Sequence, residues 1–387
     1  MLERIRIKTS VSDPISLLLS VALLSTMSCS AAVAQEATLR GLFGIDHVAT
    51  QSFQFDDTSD IFSLAFTPDG KRLATSSPNS EEVHIWALQR APRLVQVYDQ
   101  GKSLGGSMNG LRFSSSGEFL ASAHGPGQED QIIRIWNTRT GAVAGDLADP
   151  NAGASPLLYA SLVFSPDGKF LMRSQPGASY TKGSTEVAID SFIVHDSATW
   201  KQLWTLNTAP VFVSSFGASR DGRYVVIAGE ERLLRSGKPY LQPKMLIVDL
   251  AEKHVTRSAD IFAEYFEVPF VAWSPDGRRF ALGGRPVIAG ARLKTAAIEI
   301  FDARTGQQLG EYTRDKASHV RGLMYSQDGK YLMIAWDEDV EIWDAAHDKL
   351  LQTIPGPGDI NAASFSFDGR YLAVSAGRGA VSVWEMK

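Results

Sequence analysis

Cysteine is nearly missing from this chain, with Cys29 the only one in 387 residues. Whatever folds downstream of it has no disulfide and no thiolate metal site. A basic excess is missing as well: the net charge of −5 argues against a general nucleic-acid binder. The histidines His47, His84, His124, His195, His254, His319 and His347 stand singly. Without H-x-x-x-H or H-E-x-x-H spacing, a metal site would have to be assembled from distant segments. Asp337-Glu338-Asp339 and Asp56-Asp57 lack the alternating oxygen ligands and glycine of a calcium loop, and read as tight acidic turns. Gly101-Lys102-Ser103-Leu104-Gly105 matches the spacing of a nucleophile elbow, but no helical periodicity surrounds it. The same stretch fails as a phosphate-binding loop because Gln96 stands where a glycine is needed. The expectation is a protein with no cofactor, no metal and no catalytic group.

Long apolar runs are confined to the start. Arg4, Arg6 and Lys8 precede an apolar stretch from Ile15 to Met27, and Ala32-Val33-Ala34 offers small residues for cleavage. Residues 1–34 therefore read as a signal peptide, with Gln35 as the mature start and 35–48 as a lead-in. The apolar core is short for a membrane span, which needs about 20 residues. The expected setting is periplasmic or extracellular, with no span after cleavage. Two alternatives stay open. One is an uncleaved anchor; the other is lipidation at Cys29, although Thr26-Met27-Ser28 is a poor match to the aliphatic-led box of bacterial lipoproteins.

What the chain has is repetition. Seven segments share an apolar alternation, a turn and a second apolar run. They are IFSLAFTPDGKRLA from Ile61, MNGLRFSSSGEFLA from Met108, YASLVFSPDGKFLM from Tyr159, VSSFGASRDGRYVV from Val213, VPFVAWSPDGRRFA from Val268, VRGLMYSQDGKYLM from Val320 and INAASFSFDGRYLA from Ile360. The turn glycines Gly70, Gly117, Gly168, Gly222, Gly277, Gly329 and Gly369 are spaced 47, 51, 54, 55, 52 and 40 residues apart. That is close to the length of one four-stranded propeller blade. Asp-Gly between two period-two runs signals a hairpin, because glycine accepts φ > 0 and aspartate bonds the turn backbone. Ser116-Gly117 is the one variant.

A further strand follows in each unit, and its end repeats: Val83-His84-Ile85-Trp86, Ile133-Arg134-Ile135-Trp136, Val340-Glu341-Ile342-Trp343 and Val381-Ser382-Val383-Trp384. Phe301, His195 and Val248 take the tryptophan position elsewhere. Trp343-Asp344, Trp136-Asn137 and Trp384-Glu385 resemble the namesake dipeptide of WD-repeat propellers, and the following turns Asn137–Gly141 and Asp302–Gly306 resemble that family's turn. The resemblance runs over residues 49–387 and implies an all-β, seven-bladed β-propeller of four-stranded blades. The Gly-His dipeptide of the family is absent, and His319 stands at the wrong spacing for it. The Ser-Pro-Asp-Gly turns are also similar to exported bacterial propellers related to the Tol-system protein. The seventh unit shows three strands, and the alternating stretch from Ala49 to Phe55 has no other partner. An N-terminal strand is therefore expected to complete the last blade and close the ring.

Function is read from architecture: a monomeric, exported, non-catalytic scaffold that binds a protein or an anionic envelope polymer. The alternative is a ligand-binding or enzymatic propeller using the central channel, whose column Ala65, Arg112, Val163, Gly217, Ala272, Met324 and Ser364 offers one charge. The partner surface is expected on the long connections Gln175–Thr185, Gly229–Lys244 and Arg285–Thr295. These carry Lys182, Arg232, Arg235, Lys238, Lys244, Arg285, Arg292 and Lys294, opposed by Glu230 and Glu231, for a local charge of +6. Tyr180 and Tyr240 add aromatic surface of the kind favoured at interfaces. The expectation is a basic, mobile rim.

Overall fold

In the computed structural model, the residues described are 51–54, 60–77, 82–88, 92–99, 108–124, 132–148, 162–175, 180–182, 185–187, 190–235, 238–261, 266–286, 296–314 and 318–385. The Gly101–Gly105 segment, the proposed leader and Gln35 lie outside them. Every regular element among them is a β-strand. After β1 (Gln51–Gln54), the first blade is β2 (Ser63–Phe66), β3 (Arg72–Ser76), β4 (Glu82–Ala87) and β5 (Arg93–Asp99). The second is β6 (Met108–Phe113), β7 (Phe119–His124), β8 (Ile132–Asn137) and β9 (Val143–Ala148). The third is β10 (Leu162–Phe164), β11 (Phe170–Gln175), β14 (Ser191–Asp196) and β15 (Gln202–Asn207), with a separate ribbon β12 (Tyr180–Lys182) and β13 (Thr185–Val187) inserted. The fourth is β16 (Phe212–Ala218), β17 (Tyr224–Arg235), β18 (Lys238–Asp249) and β19 (His254–Asp260). The fifth is β20 (Phe266–Trp273), β21 (Arg279–Pro286), β22 (Ala296–Asp302) and β23 (Gln308–Arg314). The sixth is β24 (Gly322–Tyr325), β25 (Tyr331–Ala335), β26 (Asp339–Asp344) and β27 (Lys349–Pro355).

The seventh blade holds β28 (Ile360–Phe365), β29 (Tyr371–Ala376) and β30 (Ala380–Glu385), and β1 is its outer strand, with Gln51 opposite Val383 and Gln54 opposite Ala380. The expected N-terminal closure is thus what the chain does. The inner strands β2, β6, β10, β16, β20, β24 and β28 neighbour one another in that order, and β28 returns to β2. The molecule is a seven-bladed β-propeller.

Its core is divided into seven layers, each shared by two adjacent blades. Leu111, Leu120 and Trp136 of blade two pack on Ala65, Ile85 and Tyr98 of blade one. The layer that closes the ring joins Ile61, Leu73 and Trp86 to Ala373, Val381 and Val383. A blade is apolar on both faces, so it cannot bury its surface alone, and stacking on two neighbours is what stabilises it.

The repeated turns explain the repeated sequence. In blade three, Ser165 Oγ donates to Asp167 Oδ1 at 2.6 Å and accepts from Phe170 N at 2.9 Å, while Lys169 N donates to Asp167 Oδ1 at 3.2 Å. Gly168 sits at φ +76°, where a Cβ is disfavoured. The second repeat lies at the outer edge. In six blades the outer strand bulges where it passes the tryptophan-equivalent position, as between Ile85 and Trp86 or Ile342 and Trp343. Such bulges disrupt a sheet edge that would otherwise invite pairing with another chain.

Candidate interaction surface

The Asp-Gly turns open on one face of the ring, and the connections between second and third strands open on the other. The expected basic rim lies on this second face, and its form differs from expectation. Gly229–Lys244 is an antiparallel hairpin in which β17 and β18 pair without a break from Tyr224–Asp249 to Arg235–Lys238. The ribbon β12–β13 lies against β17, so blades three and four raise one continuous wall. Where a long loop is expected, this part of the rim is paired sheet. Cross-strand pairs such as Leu233–Tyr240 and Arg232–Leu241 account for that order.

Its base is fixed by specific contacts. Lys244 Nζ lies 3.1 Å from Glu231 and 2.8 Å from Asp260, joining three strands. Burial pushes the Lys244 amine down, but the bonds it donates to Asp260 and Glu231 outweigh this and hold the pKa above the ordinary lysine value. The Arg232 guanidinium lies 4.5 Å from the centre of the Phe212 ring. Ser214 Oγ donates to Glu230 at 2.6 Å. At Gly229 the backbone of β16 comes so close that a Cβ would collide with the Phe212 carbonyl, which is why glycine stands there.

Lys244 and Arg232 are therefore already engaged, and Tyr240 is half-buried. Arg235 and Lys238 occupy the hairpin tip, Lys182 the ribbon, with Tyr180 opposite Val187, and Arg285 a position opposite Glu267. Arg292 and Lys294 lie outside the described residues. Asp260, Glu186 and Glu267 join Glu230 and Glu231 in this region, so among the described residues six cations share it with five carboxylates, not two.

Blades five and six present a different chemistry on the same face. Asp337 accepts from His319 N at 2.9 Å and from Arg321 Nε at 2.7 Å, with His319 Nδ1 at 3.0 Å. Burial raises this carboxyl, yet the bonds from the His319 amide, Arg321 and the His319 ring together hold it below the usual carboxylate range. Arg314 pairs Asp339 through two bonds of 2.8 and 2.6 Å, tying the outer strand of blade five to blade six. Asp337-Glu338-Asp339 is a tight turn, as read from the sequence, with Trp336 N bonded to Asp339 O. The histidine–aspartate contact was not legible, because His319 lacks the family spacing.

Part of the tryptophan chemistry is present too. Trp86 Nε1 donates to Thr75 Oγ1 at 3.0 Å and Trp136 Nε1 to Ser122 Oγ at 3.2 Å. His195, in the third blade's tryptophan position, is buried and receives a bond from Arg173 Nε. Among the described residues no group of three His, Cys, Asp or Glu could hold a metal, and no helix is long and apolar enough to cross a membrane.

The family pattern described as "WD domain, G-beta repeat" matches residues 49–86, 97–137 and 348–385. Over these three segments the chain is similar to WD40 repeats. Blades one, two and seven hold the matched segments, and these are the blades with Trp86, Trp136 and Trp384. Similar proteins include "SEC12-like protein 2" of Arabidopsis thaliana, 27% identical over 44% of this chain and 38% of that protein. The "Guanine nucleotide-binding protein subunit beta" of Schizosaccharomyces pombe is 28% identical over 22% of this chain and 28% of its own length. The "Periodic tryptophan protein 2 homolog" of the same yeast is 33% identical over 27% of this chain and 11% of that protein. The match covers well under two thirds of each of these relatives. All three are eukaryotic, so the part of the resemblance they support is the WD40 repeat and not the exported, Tol-like type. Propellers of WD40 repeats typically serve as protein-interaction scaffolds.

Proposed function

We propose that this protein is a non-catalytic WD40 scaffold, monomeric and exported to a periplasmic or extracellular setting, that docks a partner on the face carrying the blade-three and blade-four wall. The observation that carries the reading is the wall itself: an ordered hairpin and ribbon raised on a closed ring, with cationic residues at Arg235, Lys238 and Lys182. A pre-ordered surface loses little conformational freedom on binding. The residues at the tip favour an acidic partner, either a protein or an anionic envelope polymer. One similar protein is by name a subunit of an assembly, which fits the same class of role. The export part of the proposal rests on the leader-like segment 1–34.

The test is capture of partners from the protein's own cells by wild type and by an Arg235→Glu, Lys238→Glu double variant. The variant is expected to lose the partner, and wild-type capture to weaken as salt screens the charges. Equal capture by both at all salt concentrations would place the docking surface elsewhere. Mass spectrometry of the purified native protein checks export, with Gln35 expected as its first residue.

A further inference from the structure

Among the described residues, the middle of the inner strands carries one charge with no opposite charge bonded to it. The middle positions of the inner strands are Ala65, Arg112, Val163, Gly217, Ala272, Met324 and Ser364. Ala65, Gly217 and Ala272 are buried, Val163, Met324 and Ser364 are half-buried, and Arg112 is exposed. Its strand β6 is flanked by the inner strands β2 and β10, so this exposure is to space within the ring. Arg112 Nη1 donates to Leu111 O at 2.8 Å, and among the described residues the guanidinium has no carboxylate partner. The protein around it desolvates the charge and pushes its pKa down. Exposure and desolvation together fit a side chain that faces a solvent-reached space walled by the neighbouring blades.

A guanidinium stays charged and presents five donors in a planar fork that matches a carboxylate through two parallel bonds. Here Leu111 O takes only one of those donors. The rest of the column is apolar apart from the Ser364 hydroxyl. A dianionic phosphate would need more donors than this ring supplies, whereas one guanidinium balances one carboxylate. We propose that the central channel binds a small monocarboxylate, paired through both oxygens to Arg112 with its aliphatic part against the apolar ring side chains. This site is separate from the outer wall, and neither proposal depends on the other.

The experiment follows thermal unfolding and calorimetric titration of the purified protein in acetate, propionate and butyrate. Phosphate and chloride at matched ionic strength are the comparisons. The wild type is expected to show a saturable rise in Tm of about 1–2 °C at tenfold excess over Kd, greatest with butyrate. In Arg112→Met the rise should vanish and the affinity fall at least tenfold. In chloride alone that variant should melt no lower than wild type, since it loses an unpaired desolvated charge. Should Arg112→Met fail to fold, Arg112→Lys keeps the charge without the fork and is expected to show the same loss of affinity. No carboxylate effect, an equal effect in the variant, or a phosphate effect as large as that of butyrate would each overturn the proposal.

Discussion

Trp136 and Trp384 occupy equivalent positions and are equally buried, at 3% exposure each, yet their indole nitrogens meet different surroundings. Trp136 Nε1 donates to Ser122 Oγ at 3.2 Å, whereas Trp384 Nε1 is buried with no acceptor among the described residues. The same substitution to phenylalanine should therefore cost different amounts. Both variants lose ring volume, for about 1–2 kcal/mol each. Trp136→Phe also strips Ser122 of a donor at a fully buried site, which adds about 1 kcal/mol, the low end of the range because Ser122 Oγ still reaches Arg134 O. Trp384→Phe instead removes a desolvated N–H that had no partner, recovering about 1–2 kcal/mol. The expected gap is about 2–3 kcal/mol, with Trp136→Phe the less stable. Denaturant unfolding measures it as a difference in midpoint at unchanged slope. Equal midpoints would refute the reasoning, since the two rings are equally buried and the contacts of Tyr98 and Arg134 with the Trp136 ring act in the same direction as its hydrogen bond.

Two more outcomes follow from the same joints. Burial lowers the pKa of His195, a bond to Trp200 O opposes this, and the neighbouring Arg173 lowers it further. A folded pKa below the ordinary value near 6.5 means the unfolded chain takes up the proton first, so this contribution to stability is lost as pH falls below about 6.5. Replacing His195 with phenylalanine, the residue at the matching Phe301 position, should flatten the pH dependence of stability between pH 7 and 5 by at most about 1.4 kcal/mol per unit; an unchanged slope would contradict it. Deleting residues 49–55 removes β1 and bares β30, whose Val381 and Val383 belong to the layer that closes the ring. That truncation should lower Tm and promote aggregation, and a melt like that of the intact protein would show the closure to be dispensable.

The blade pattern was legible because its causes are local. The Ser-x-Asp-Gly turn bonds within six residues, and the period-two runs on either side are short enough to read without knowing what they pack against. The N-terminal strand could be placed because one unit lacked a partner and one segment lacked a sheet. The hairpin of blade four was also written locally: Leu233, Leu234, Tyr240 and Leu241 flank Ser236-Gly237, a two-residue link of the kind that closes hairpins. Its length, greater than that of the matching connections in blades six and seven, is what makes it resemble a loop. Contacts between blades were hidden for a different reason. Tyr98 stacks on Trp136 at 5.1 Å and Tyr312 on Trp343 at 4.4 Å, each pair joining an outer strand to the next blade. Which residues meet there depends on how far each blade is rotated against its neighbour, and no spacing within one repeat encodes that rotation. The same holds for Arg314 and Asp339, and for Arg112, whose exposure follows from closing seven inner strands into a ring. Blade-internal chemistry can be read from this sequence one repeat at a time, whereas whatever binds to the ring meets features that exist only once the repeats are assembled.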